Sequence, residues 1–480
     1  MKQGSGDTAL DPNEFDPTLG SPVIWMAAKE VTNLSPGGVV DVDAGELAYP
    51  KPFSAMPPGI YEAQALLDVD HAYNYSGNSP VNWTSDVTAV ADWNPVTSAE
   101  PVLVLDRHPP EKMKRKAARL LSLAVNRLKL SNVRLEQMNS PALSRFWGRP
   151  VNVSAWVVLP PGYSKGSSAY PTVYWTHGFG GGLDSALYNG NHIRERMNDG
   201  KMPPMIWVML DESSAQGTHE FADSVNNGPW GTALTTEFIP FLESRYRMDA
   251  RPSGRLLSGH SSGGWATLQL QVNYPGVFGG TWSTSPDCSD FHDFSGVDLY
   301  APRANLYRRA DGSPAPIMRE NGQVLQTIEQ SAKQEHVLGQ YGGQWSSFDW
   351  AFSPKGADGS PRPMFDRETG DVDPEVIGYW RDHYDLAHLV ETSWPQRAAE
   401  LKGKFHITVG TADTFYLDGA VHRFEAVLQR LGGEPHFTYR EGRTHFDLYA
   451  VGDDPTGLFD EIGAEMYAVA RPGTDWKRRQ

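Results

Sequence analysis

Residues 256 to 275 have the sequence LLSGHSSGGWATLQLQVNYP. It joins a short apolar run to an amphipathic run through a glycine and serine cluster, which predicts a strand, a tight turn and a helix. The turn, Gly259 to Gly263, has the pattern G-x-S-x-G. Between a strand and a helix this pattern is typical of a nucleophile elbow, whose serine stands above the strand ends. We therefore predict that Ser261 is a nucleophile rather than part of an ordinary turn.

A serine nucleophile needs a base and an acid, and both candidates follow predicted strands further along the chain. Asp413 lies just beyond a strand in HITVGTADTFYLDGA, residues 406 to 420, and His445 lies after the last strand in YREGRTHFDLY, residues 439 to 449. The order serine, aspartate, histidine is that of α/β hydrolases and not of chymotrypsin-like or subtilisin-like proteases. We predict a triad of Ser261, Asp413 and His445, with Asp418 and Asp287 as alternative acids.

An oxyanion hole requires two backbone amides beside the nucleophile. The amide of Ser262, at the start of the predicted helix, is one candidate. The loop in WTHGFGGG, residues 175 to 182, follows an upstream strand and could supply the other, which we assign to Phe179. The candidates for the substrate pocket are aromatic residues and the neighbour of the nucleophile, although each of them could equally belong to the core: Trp230, His260, Trp345 and Trp350.

The pattern of predicted elements divides the chain into several regions. Residues 1–20 read as a flexible tail, and residues 21–108 as a β-rich, sandwich-like domain with strand patterns such as GGVVDVD and EPVLVLD. Residues 109–130 form a basic connector. Alternating strands and helices over residues 131–474 predict an α/β fold with a mostly parallel sheet covered by helices on both faces. An aromatic-rich insertion at about residues 288–394 breaks this alternation, and is either a lid or a packed surface segment.

Composition excludes several classes of function. The chain of 480 residues carries a formal net charge of -16, which disfavours nucleic acid and anionic membranes as partners. No run approaches the roughly 18 apolar residues of a membrane span. One cysteine, Cys288, excludes an internal disulfide and a cysteine-rich zinc site. The acidic segment DRETGDVD, residues 366 to 373, lacks the spacing of a calcium loop, so we expect neither a metal nor another cofactor.

The location of the protein and its oligomeric state stay open in the sequence. The first 20 residues lack the apolar core of a signal peptide. The expectation is therefore a cytoplasmic protein, or a periplasmic or secreted one if a leader has been removed from this start. Whether the chain forms a homo-oligomer is equally undecided.

The motifs VVLPPGY, HGFGG, NNGPWGTALTTEFIPFLESRY, GHSSGG, GTADTFYLDGAV and GRTHF together resemble the Putative esterase family of α/β hydrolases, which includes esterase D, enterochelin esterases and feruloyl esterases. The resemblance runs from about residue 131 to about residue 450. It implies Ser261 as nucleophile, Asp413 as acid, His445 as base, and Phe179 with Ser262 as oxyanion donors. The chain looks like long bacterial members with an N-terminal β domain and an insertion after SPD.

The function expected from these features is hydrolysis of a carboxylic ester, small or attached to a polymer, through an acyl-enzyme. A serine peptidase or amidase would use the same triad. A third alternative is a polymer- or glycan-binding protein built on a hydrolase scaffold that has lost its activity. Every predicted catalytic position holds the residue type that the chemistry needs, which argues against an inactive scaffold. The β-rich region is too short for the propeller of prolyl-oligopeptidase-type peptidases, and no fixed charge for a peptide terminus is identified, so the esterase is favoured.

Overall fold

A computed structural model of the chain describes residues 1–3, 24–70, 79, 81–109, 132–339, 343–474 and 476. Most of the predicted tail, the connector at residues 110–130 and its basic stretch therefore lie outside the described residues. Within the described residues no helix combines the length and the apolar character needed to span a membrane.

An eight-stranded sheet forms the centre of the molecule. Its strands, in chain order, are β1 (Val133–Asn139), β2 (Asn152–Val158), β3 (Thr172–Thr176), β4 (Ile206–Leu210), β5 (Arg255–His260), β6 (Gly280–Thr284), β7 (Phe405–Gly410) and β8 (His436–Arg440). They lie side by side in the order β8-β7-β6-β5-β3-β4-β2-β1. β1 and β2 run antiparallel to their neighbours, and all other pairs are parallel. The predicted mostly parallel sheet is confirmed.

Alternating side chains along each central strand enter two different cores, one on each face of the sheet. Val173 and Leu256 pack with helices Leu183–Asn198 and Leu458–Ala470, whereas Tyr174 and Leu257 pack with the segment from Trp230 to Leu242. Because successive side chains of a strand point to opposite faces, apolar residues at adjacent positions require a cover on both sides. This confirms the α/β-hydrolase fold class with helices on both faces.

The remaining helices connect the strands or belong to the insertion. They are Pro141–Trp147, Trp230–Ala233, Ile239–Arg245, Ser262–Asn273, Ile328–Leu338, Gln344–Phe352, Pro374–Tyr384, Leu386–Leu401 and Asp418–Arg430, with a π-helical turn at Leu234–Phe238 and short 3-10 turns at Phe53–Ala55, Tyr163–Lys165 and Pro252–Gly254. We call Ser262–Asn273 the elbow helix, since it follows β5 directly.

The insertion is packed against the α/β unit. It contains a hairpin of strands Pro316–Glu320 and Gln323–Thr327, followed by four helices, the last of which ends at Leu401. Phe352 and Trp380 are buried, and the ring of Phe352 lies 4.6 Å from that of Trp265 in the elbow helix. Of the two predicted alternatives for this segment, its buried aromatic residues favour a packed segment.

The N-terminal region is rich in short strands, but among its described residues the sandwich-like arrangement is not found. Strands Lys2–Gln3, Gly59–Ala63 and Thr88–Trp93 form one sheet, while Met26–Ala27 pairs with Ala48–Tyr49 and Leu66–Leu67 with Trp83–Thr84. Each of the two apolar clusters here contains three buried residues, and one of them includes Val337 of the insertion. Clusters this small do not provide the two packed layers of a sandwich. Lys2 and Gln3 were expected in a flexible tail and instead pair with Glu62 and Tyr61.

Candidate active site

The turn between β5 and the elbow helix holds Ser261 in a strained backbone conformation, with φ 60° and ψ −128°. A β-carbon at Gly259 would lie 2.1 Å from the carbonyl oxygen of Gly263, and one at Gly263 would lie 2.3 Å from that of His177. Both distances are far below any ordinary contact, so only glycine fits on either side of the serine. The backbone therefore has the geometry that the G-x-S-x-G pattern predicts.

Asp413 and His445 meet at the carboxyl ends of β7 and β8. His445 Nδ1 lies 3.0 Å from Asp413 Oδ2, and both side chains are buried. The other carboxylate oxygen, Oδ1, accepts the amide of Phe415 at 2.9 Å. Burial alone would raise the pKa of Asp413, but the hydrogen bond and the charge of His445 lower it below its ordinary value. An ionised Asp413 can hold His445 with its Nε2 free to act as a base.

The two alternative acids have other partners. Asp418 pairs with the guanidinium of Arg319 at 2.9 Å. Asp287 accepts a hydrogen bond from the hydroxyl of Ser262 at 2.7 Å. Of the three aspartates, Asp413 is the one whose carboxylate contacts His445 at hydrogen-bond distance.

The glycine loop after β3 packs directly against Ser261. A β-carbon at Gly178 would lie 2.8 Å from that of Ser261, so the loop approaches the serine as closely as a glycine allows. Phe179 is the next residue of this loop, and Ser262 is the first residue of the elbow helix. The two predicted oxyanion donors therefore belong to the two backbone segments that flank Ser261.

Asp287, Glu212 and Glu220 are buried carboxyl groups that interact electrostatically, and Asp287 contacts the elbow helix. Asp287 is 7% exposed, and burial raises its pKa to about 6, although hydrogen bonds from Ser262 and Ser261 and the charge of His445 oppose the rise. Glu212 and Glu220 are buried nearby, and burial raises the pKa of both well above the ordinary value. Neither carboxyl oxygen of Glu220 has a hydrogen-bond partner among the described residues.

The structure separates the four predicted pocket residues. Trp230 is stacked on His219 at 3.6 Å and is 6% exposed, and Trp345 is 3% exposed within the aromatic core of the insertion. Trp350 is partly exposed on a helix of the insertion. His260 lies beside the triad, with its ring 4.5 Å from that of His445, and burial lowers its pKa to about 3. Trp230 and Trp345 are thus core residues, whereas His260 borders the candidate site.

Two aromatic residues outside the sequence prediction lie next to His445. The ring of Phe415 is 4.9 Å from that of His445, and the ring of Phe446 is 5.5 Å from it. Phe446 is 76% exposed, so its ring lies at the surface beside the buried His445. The signal in the sequence was its position directly after His445.

One group of side chains has the spacing of a metal site. The ligand atoms of Asp290, His292 and Asp385 lie within 4.8 Å of one another. Asp290 Oδ1 already accepts the amide and lies 2.8 Å from Nδ1 of His292, and Asp385 Oδ2 accepts the hydroxyl of Tyr300 at 2.6 Å. These hydrogen bonds account for the arrangement without an ion. In the acidic segment 366–373, the carboxylate of Asp366 accepts backbone amides of its own turn.

The sheet order and the nucleophile elbow define the class of α/β hydrolases. Residues 146–452, more than half of the chain, match the family model described as Putative esterase. The chain therefore belongs to this esterase family.

Curated relatives match only part of the chain. Esterase Rv1288 and Esterase MT1326 of Mycobacterium tuberculosis are 33% identical over 157 residues, which is 32% of this chain and 33% of each relative. This chain thus spans about a third of the length of these relatives. The uncharacterized protein YbbA of Bacillus subtilis is 26% identical over 140 residues, covering 26% of this chain and 54% of that protein.

Among the solved structures to which this chain is similar is a ferulic acid esterase, at 14% identity, a TM-score of 0.45, and coverage of 70% of this chain and 98% of that one. An S-formylglutathione hydrolase from Agrobacterium tumefaciens is 16% identical, with a TM-score of 0.39 and coverage of 70% and 94%.

Proposed function

We propose that the protein hydrolyses carboxylic esters by a two-step acyl-enzyme mechanism that uses Ser261, His445 and Asp413. The single observation that carries the proposal is the buried Asp413–His445 contact of 3.0 Å, at the same sheet edge as the strained serine of the elbow. A buried aspartate on Nδ1 leaves Nε2 of the imidazole to exchange a proton with the serine hydroxyl.

In the first step His445 takes the proton of the Ser261 hydroxyl while its oxygen attacks the ester carbonyl carbon. The amides of Ser262 and Phe179 stabilise the negative oxygen of the tetrahedral intermediate. His445 then gives its proton to the leaving alcohol, and an acyl-serine remains. In the second step water attacks this acyl group with the same base, and the carboxylic acid leaves Ser261 free.

We propose that the alcohol part of the preferred ester, which leaves on the side of His445, is apolar or aromatic. Phe446 and Phe415 place two rings beside the histidine that protonates the leaving alcohol, and Phe446 is largely exposed. A flat apolar leaving group could cover Phe446 and gain the free energy of burying that ring. The ester can be a small molecule or a group attached to a polymer.

The test is hydrolysis of p-nitrophenyl esters from acetate to octanoate and of one aromatic acyl ester. The wild type, Ser261→Ala and the control Ser244→Ala, whose hydroxyl is on an exposed part of a surface helix, are compared. We expect Ser261→Ala to lower kcat by about 10⁴-fold or more, since removal of a triad member has this effect in serine hydrolases. The control keeps wild-type activity. A folded wild type without activity on any ester, or activity that survives Ser261→Ala, contradicts the proposal.

A further inference from the structure

The elbow helix starts without a side-chain cap. Its N-cap residue is Ser261, whose hydroxyl makes no capping hydrogen bond, and its first turn contains no acidic residue. The first four amides of any helix lack partners within it, and a serine at the N-cap would ordinarily satisfy one of them. In this chain that hydroxyl is the proposed nucleophile. Another group must therefore hold the first turn, which includes the proposed oxyanion amide of Ser262.

The segment Ser285 to Asp287, directly after β6, contacts this first turn at three points. Asp287 Oδ2 accepts the hydroxyl of Ser262 at 2.7 Å, and the amide of Asp287 donates to the carbonyl oxygen of Ser261 at 3.2 Å. A β-carbon at Gly264 would lie 3.0 Å from the Cα of Pro286, so the backbones are in close contact. Asp287 thus connects the loop after β6 to both residues at the start of the helix.

Asp287 also occupies the place where a helix favours negative charge. The N-terminus of a helix carries a partial positive charge, and a carboxyl group near it is stabilised. The side chain is buried and is surrounded by further titratable groups, namely Glu212, Glu220, Asp413 and His445. Burial beside other carboxyl groups makes the ionised form of Asp287 costly, and the helix N-terminus and the Ser262 hydroxyl offset this cost only in part.

We propose that Asp287 is a positioning residue for catalysis, which fixes the first turn of the elbow helix through the Ser262 hydroxyl and thereby aims the Ser262 amide at the oxyanion. This inference rests on the proposed function. It assigns to Asp287 a role separate from that of Asp413, which holds the histidine. The fixed amide acts on the negative charge that develops in the transition state, so its loss lowers kcat rather than weakening substrate binding.

The experiment measures kcat and KM on the best p-nitrophenyl ester for Asp287→Ala, Ser262→Ala and the double variant. We expect each single variant to lose about ten- to hundredfold in kcat, with KM changed less than about twofold, because a displaced oxyanion donor has effects of this size. The double variant should be about as slow as Asp287→Ala, since Ser262→Ala removes only the Ser262–Asp287 hydrogen bond, which Asp287→Ala already removes. Asp287→Asn keeps an acceptor for the hydroxyl and should restore most of kcat.

Asp290→Ala is the matched control, since it removes another buried aspartate from the same loop and is expected to keep wild-type kcat. Multiplicative losses in the double variant, a rise in KM at constant kcat, or wild-type kcat in both single variants overturns the inference. If Asp287→Ala does not fold, Ser262→Ala decides by itself, because alanine is well accepted in a helix. An inactive wild type contradicts the proposed function instead, whereas an active wild type with a silent Ser262→Ala contradicts only the role of Asp287.

Discussion

Replacing Asp287 by asparagine should change how the stability of the protein depends on pH. The pKa of Asp287 rises from the ordinary 3.8 to about 6 in the folded protein, chiefly because the group is buried. Between these values the folded chain holds a proton that the unfolded chain has released. The free energy of unfolding of the wild type therefore falls as the pH rises through this window.

The size of the effect follows from the pKa. One pKa unit corresponds to about 1.4 kcal/mol, so the rise from 3.8 to about 6 is worth about 3 kcal/mol. Asparagine does not titrate, so the free energy of unfolding of the variant does not fall through this mechanism as the pH rises. Relative to the wild type, Asp287→Asn should gain about 3 kcal/mol between about pH 4 and about pH 7. With an unfolding entropy of about 2.1 cal/mol/K for each of the 480 residues, this gain corresponds to about 3 °C in Tm.

The assay is thermal and urea unfolding of both proteins at several pH values across this window. Asp413→Asn is a control with the opposite sign, because contact with His445 lowers the pKa of Asp413 despite its burial. The stability that Asp413 contributes is present at neutral pH and is lost as the pH falls through its lowered pKa. A difference between wild type and Asp287→Asn that stays constant with pH would refute the reasoning about Asp287.

Three further changes probe other parts of the structure. Gly263→Ala should destabilise the protein by about 2–3 kcal/mol in urea unfolding, since the new β-carbon would lie 2.3 Å from a backbone oxygen, whereas Gly378→Ala, in open space, should not. Arg196→Met should lower the unfolding free energy by about 3–5 kcal/mol, because the guanidinium holds the buried Asp460 at 2.5 Å and 2.6 Å; unchanged stability would contradict this. Phe446→Ala should raise KM for aryl esters by about tenfold, and leave that for a short alkyl ester nearly unchanged.

The parts of the site that the sequence predicts are those set by local constraints. The elbow is recognisable because two glycines must flank Ser261 for steric reasons, within a few residues of sequence. The Asp413–His445 contact is predictable for a related reason. Both residues follow parallel strands, whose carboxyl ends meet at one edge of the sheet, so chain order and strand rhythm bring them together.

Residues whose environment depends on distant packing could not be placed in this way. Trp230 and Trp345 have the composition of a pocket wall, but Trp230 stacks on His219 and Trp345 lies against Phe365, and neither partner is evident from the sequence. An aromatic side chain is equally suited to a core and to a binding surface. Only the three-dimensional neighbours distinguish the two.

Strand prediction in the N-terminal region was limited by the same problem. The patterns GGVVDVD and EPVLVLD alternate as strands do, yet residues 37–43 and 100–106 do not belong to any strand of the described residues. Val39 is 87% exposed and Val102 is 85% exposed, so neither segment has an apolar surface to pack on. Strand propensity mostly reflects packing against neighbours, and an alternating pattern without them does not form a ladder.

The elbow helix links these observations, because its position depends on segments that are remote in sequence. One side packs under the sheet through Leu270, and the other contacts the insertion, where Trp265 meets Phe352 at 4.6 Å. Asp287 holds its first turn from the strand next to β5. Because the Ser261 hydroxyl makes no capping hydrogen bond, the start of this helix is held by contacts from other segments of the chain. The G-x-S-x-G turn could be predicted because it is set by neighbouring residues, whereas the contacts that hold the elbow helix come from segments remote in sequence and could not be.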